Sequence, residues 1–210
     1  MNSTLVGGLT RSARESWLAI VAIVIGAGCG GGTSSNGDNC TAVVVACGGD
    51  ITGTWKVVSS CFSGAASTSD LDCTGESIYV DSISLEATIT FSAGTYDESL
   101  TSSSAVSTVT APVSCLGGAG CPTSVTTDAG ESATCSVSGS NCVCTETITG
   151  GQSTASGTYT TSGSMITVTP SGGSAATDGY CVQGSTLTLS QSAASTITSG
   201  PAGQLTLVRQ

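Results

Sequence analysis

The chain has no histidine, and of its 210 residues only four are basic and only 4% are aromatic. Without histidine, Ser-His-Asp and Cys-His nucleophilic catalysis are excluded, and the commonest metal ligand is missing. Serine is abundant, yet none stands in Gly-x-Ser-x-Gly at a strand-to-helix elbow. Asp97 and Glu98 are adjacent carboxylates, but neighbours on a strand face opposite ways and do not share a substrate. Lys56 reads as a solvated lysine rather than a base. No enzyme and no cofactor are expected. The scarcity of basic residues also removes the footprint that nucleic acid requires. Few aromatic and few charged residues leave a chain of small side chains with a thin core.

Glycine and cysteine are what the chain has instead, 29 and 11 of them. At that density in an exported chain, the cysteines read as a disulfide framework. Export is signalled at the front, where Arg11 and Arg14 precede the apolar run Trp17–Ile25 and then Gly26-Ala27-Gly28-Cys29. That run is far short of the ~20 residues of a membrane-spanning helix. The small residues before Cys29 resemble the lipobox of bacterial lipoproteins. The resemblance implies a signal peptide over 1–28, lipidation of Cys29 with a fatty acyl group such as palmitate, and a membrane partner through that lipid. Gly30 after it points to the outer membrane of the cell envelope. Removing Cys29 leaves ten cysteines, enough for five disulfides with none left over. Cleavage there also leaves Lys56 and Arg209 against thirteen acidic residues, a net charge of about −11. Residues 29–39 form a polar, flexible tether, and 40–210 the folded body.

Within that body the pattern is all-β. Ile83, Leu85, Ala87, Ile89 and Phe91 alternate with polar residues and share one face of a strand. Ala93-Gly94 turns this strand into Thr95–Leu100. The segment Thr101–Thr110 reads as an outer strand, and Cys115–Gly130 as a loop pinned by its own cysteines. Hairpin signals follow at Gly139-Ser140, Ser162-Gly163 and Gln183-Gly184. Eight to ten short strands joined by tight turns predict an antiparallel up-and-down barrel, because closure removes exposed edges. Trp55, Leu85, Ile89, Phe91, Ile166, Val168, Leu187, Leu189, Leu205 and Leu207 are expected to face inward. Along the first strand, Trp55, Val57 and Ser59 are expected on one face, with Thr54, Lys56 and Val58 on the other.

Gly53-Thr54-Trp55 at the start of the first strand, with Arg209 on the last, resembles the lipocalin (calycin) pattern. The resemblance implies that Trp55 packs at a closed barrel end with Arg209 lying across it, and that the family's analogous ligand would be a small apolar molecule in the barrel. The alternative is a structural or adhesive surface protein whose barrel is filled by its own side chains.

Counting outward from the Gly139-Ser140 turn pairs Cys135 with Cys144 at a position where side chains approach closely. Cys40–Cys47, Cys61–Cys73 and Cys115–Cys121 would close short loops, leaving Cys142 for Cys181. Asp70, Asp72, Thr74 and Asp81 follow the spacing of a calcium loop, with Gly75 at its turn position. No helices flank it, Thr74 replaces the usual carboxylate or amide, and Asp81 the longer glutamate. The expected reading is therefore an acidic loop stapled through Cys73, without metal.

Overall fold

The computed structural model describes residues 45–65, 75–116, 120–126, 131–191 and 202–210. Cys29, Cys40, Cys73, Asp70, Asp72 and Thr74 lie outside them. The described residues form eleven strands: β1 (Gly53–Ala65), β2 (Ser77–Ser92), β3 (Thr95–Pro112), β4 (Ser124–Thr126), β5 (Glu131–Ser138), β6 (Asn141–Gly150), β7 (Ser153–Ser162), β8 (Met165–Pro170), β9 (Ala176–Gln183), β10 (Thr186–Gln191) and β11 (Ala202–Arg209). A single 3-10 turn, Val113–Leu116, follows β3.

Eight of these strands close an antiparallel barrel in the order β1-β2-β3-β7-β8-β9-β10-β11, with β11 returning to β1. The other three stand outside the ring. This follows from the length of β3, which is 18 residues. Its first part, Thr95–Leu100, pairs with β7 in the barrel wall. Its second part, Ser103–Pro112, pairs with β6, and β5 and β4 continue the sheet outward as a wing. Thr101–Thr110 is therefore the continuous middle of a long strand, not a separate outer one. The hairpin at Gly139-Ser140 forms as the turn signal requires, but as part of the wing.

The turns explain why the strands meet so tightly. Gly139, Gly163 and Gly184 each occupy the first central position of a two-residue turn, at φ near +60°. This backbone twist matches that of the flanking strands, which residues other than glycine adopt only with strain. Ala93, at φ 48°, precedes Gly94 at φ 83°, so this turn carries positive φ at both central positions.

Every residue expected to face inward is buried or packed against the core, Leu85 being the half-buried one. The first strand departs from simple alternation. A bulge between Val57 and Ser59 shifts its register against β11. Trp55 and Val57 point in before it and Phe62 points in after it, while Ser59 is exposed. One extra residue in a strand reverses the facing of all that follow.

Candidate functional site

At one end of the barrel, the stretch before β1 forms a seal. Arg209 lies over Trp55, with its guanidinium carbon 4.3 Å from the ring centroid. The same guanidinium donates to the carbonyls of Thr52 (2.7 Å) and Asp50 (3.2 Å). The Trp55 indole donates to the Ile51 carbonyl at 2.7 Å. Gly53 is needed beneath Arg209: at φ 130° it turns the chain, and a Cβ there would meet Nη1 at 2.8 Å. Asp50 accepts from the Thr52 backbone N–H at 3.0 Å, and that bond lowers its pKa. Next to this corner, Gly48 bridges to Cys181 of β9, and the Tyr180 hydroxyl donates to the Gly49 carbonyl. Gly53, Trp55 and Arg209 thus meet at one end, as the first and last strands of a closed sheet must.

The interior is occupied. Trp55, Tyr96, Phe91, Ile89, Ile166, Leu187, Leu205, Leu207 and Val168 are all less than 2% exposed. Phe91 meets Tyr159 edge-on at 5.0 Å between centroids and Tyr96 at 6.4 Å. A hollow of about 350 Å³ opens instead along the outside of the wall, beside Thr88, Thr90, Asp97, Glu98, Ser99, Thr154, Ala155 and Ser156 of β2, β3 and β7. Five hydroxyl-bearing residues and two acidic ones line it, which suits water or a polar group rather than a lipid tail.

Glu98, Ser107 and Asp178 are the buried polar or charged side chains among the described residues, and Asp178 stands opposite the buried Ile166. Trp55, Ile89, Glu98 and Ala155 stand abreast across β1, β2, β3 and β7. Glu98 is 6% exposed, and its Oε2 has no hydrogen-bond partner. Burial pushes its pKa up to about 7 from 4.5. The Tyr96 hydroxyl, two residues back on the same face, also lacks a partner. Its pKa is pushed up to about 12, chiefly by burial and then by the Glu98 charge. The alternation along β3 did place Asp97 and Glu98 on opposite faces. It gave no sign that Glu98 takes the inner one.

Glu98 has a measurable consequence. A carboxyl whose pKa is raised in the folded state binds a proton more tightly folded than unfolded. Its favourable contribution is complete below about pH 4.5 and declines as pH rises through about 7. A shift of this size corresponds to about 3 kcal/mol. Urea midpoints of the wild type should therefore fall between pH 4.5 and 7 relative to Glu98→Gln, which cannot ionise. Parallel curves for the two proteins would show that Glu98 is solvated and that this account of the interior is wrong.

The cysteines depart from the short-loop scheme at Cys47, Cys121 and Cys142, whereas the expected Cys61–Cys73 pair includes a residue outside those described. Cys135 bonds Cys144 across the β5–β6 hairpin, at the register counted from its turn. Cys47 bonds Cys181 rather than Cys40, tying the stretch before β1 to β9 across 134 residues. Cys121 bonds Cys142, so neither Cys115–Cys121 nor Cys142–Cys181 forms. Cys61 and Cys115 are disulfide-bonded as well. The rule of closing the nearest pair fails because β strands carry sequence neighbours apart and bring distant segments side by side.

Asp81 sits within β2, where its carboxylate accepts from Thr108 at 2.8 Å. A calcium loop would need Ser77–Asp81 coiled around an ion, whereas here that stretch is extended strand. Among the described residues, the grouping of potential metal ligands is Cys135, Cys142 and Cys144, and all three sulfurs are in disulfides. Comparison with protein families, curated proteins and solved structures finds no match to this chain.

Proposed function

We propose that this protein is an exported, lipid-anchored barrel of the bacterial envelope that works through its outer surface as a structural or adhesive module, rather than as a carrier. The observation that supports this reading is the filled interior. Nine large side chains occupy the space where a carrier would hold its guest. Binding pockets for drug-sized molecules run to about 300–1,000 Å³ and are mostly apolar. The hollow of comparable size here is on the outside and lined mostly by hydroxyl-bearing and acidic residues. The closed eight-strand barrel with Arg209 over Trp55 is consistent with a calycin-like architecture, but architecture alone assigns no ligand.

Anchoring rests on the apolar run and small residues before Cys29. A lipidated Cys29 and the tether over 29–39 would hold the body at the membrane. Its surplus of acidic residues would keep it off anionic headgroups.

Native mass spectrometry of protein extracted gently from membranes reads both parts. The expected species begins at a diacylglycerol-modified Cys29 and carries no further small molecule, and fluorescent lipids added afterwards are not taken up. A stoichiometric guest in the barrel would restore the carrier reading. A mature chain beginning elsewhere, without lipid, would remove the anchor.

A further inference from the structure

The two disulfides of the wing touch. Cys142 and Cys144 are two residues apart on β6, on the same face, and their sulfurs are 3.9 Å apart although each is bonded elsewhere. The sulfurs of Cys135, Cys142 and Cys144 all lie within 4.8 Å of one another. Four sulfurs therefore form one file, Cys121–Cys142 beside Cys144–Cys135. Its two ends differ in access. Cys142 and Cys135 are 3% and 7% exposed, whereas Cys121 and Cys144 are half-buried. Of these two, Cys121 is the end of the file and stands between Gly120, around which there is open space, and the exposed Pro122.

The geometry points to the wing as a thiol–disulfide exchange site that a small, uncharged thiol enters at Cys121. The thiolate of the incoming molecule attacks the Cys121 sulfur, forming a mixed disulfide there and releasing Cys142 as a thiolate. That thiolate is already in van der Waals contact with the second disulfide. It attacks Cys144, forms Cys142–Cys144 and expels Cys135 as a thiolate, which takes up the proton the incoming thiol lost. One thiol is consumed, one protein thiol appears, and the number of disulfide bonds is unchanged. Contact makes the second step intramolecular, so it needs no second encounter. Because residues two apart on a strand are at the outer limit of disulfide reach, Cys142–Cys144 is a short-lived species that reverts when Cys135 attacks again. A thiol put in at the surface therefore appears, in part, at a buried cysteine on the neighbouring strand. The acidic body favours uncharged thiols over anionic ones.

The test uses 2-mercaptoethanol on the full, oxidised protein at about pH 8, where thiolates form, with brief exposure and an alkylating quench before peptide mapping. The expected products carry mercaptoethanol on Cys121 and the alkyl label on both Cys142 and Cys135. In Cys142→Ala, the label on Cys135 should fall to background. In Cys121→Ser, where Cys142 is left without its partner, Cys135 should be labelled without any added thiol, and this labelling should be suppressed at about pH 4. Label on Cys142 alone in the wild type, mercaptoethanol first on a cysteine other than Cys121, or Cys135 still labelled in Cys142→Ala would each overturn the exchange.

Discussion

Replacing Cys47 and Cys181 together by alanine is expected to lower the stability of the domain by about 5 kcal/mol. The bridge closes a segment of 134 residues, so its loss frees a long stretch of the unfolded chain. The Cys121–Cys142 and Cys135–Cys144 bridges lie inside that segment and shorten it by only 21 and 9 residues. Closure entropy grows with the logarithm of loop length, so this nesting barely reduces the effect. A loss of that size is comparable to the whole stability of many domains. A body with 4% aromatic residues has little reserve to absorb it. Urea unfolding of the double variant, under oxidising conditions that keep the other bridges, should show a much lower midpoint. A midpoint within a few tenths molar of wild type would mean that the seal before β1 is held by its hydrogen bonds alone.

Trp55→Ala is expected to cost about 3–5 kcal/mol, the range for removing a large buried aromatic side chain. Trp55 is 0% exposed, packs among β1, β2 and β11, and supplies the hydrogen bond that satisfies the Ile51 carbonyl. Its removal leaves a cavity and an unpaired carbonyl together. Arg209 is expected to matter much less, although it lies on the same ring. It is exposed, and a cation over an aromatic face at such a site contributes about 0.5–1 kcal/mol. Its bonds to Thr52 and Asp50 compete with water. Thermal unfolding of Trp55→Ala and Arg209→Ala side by side should rank them clearly. Equal losses would show that the corner is an electrostatic clasp, with the indole as its platform rather than as core.

The interior was largely legible from residue order. Ile83 to Phe91, Ile166 to Val168, Leu187 to Leu189 and Leu205 to Leu207 alternate strictly, and alternation is a local property of a strand half in water. The pairing of Cys135 with Cys144 was legible for a similar reason, since a two-residue turn sets the register of its own hairpin. The Cys47–Cys181 and Cys121–Cys142 bridges were not legible. Cys47 meets Cys181 only because β9 outruns β8 at that end and leaves an edge for Gly48 to cover. Glu98 was also hidden, because polar residues on a strand are assumed to face water unless a closed wall lies on the inner side.

Composition and local order by themselves determined the β-rich, disulfide-bearing character of the chain, the turns, and which side chains could line a core. These depend on propensity, periodicity and φ at single glycines, all short-range effects. Only the tertiary structure decided that β3 serves both the barrel and the wing, that three strands leave the barrel, that the interior is filled and encloses Glu98, and which sulfurs stand in contact. Each of these follows from the register between strands far apart in sequence and from bulges such as that at Val57 and Ser59. A shift of one residue there exchanges inside for outside, and no local signal records it.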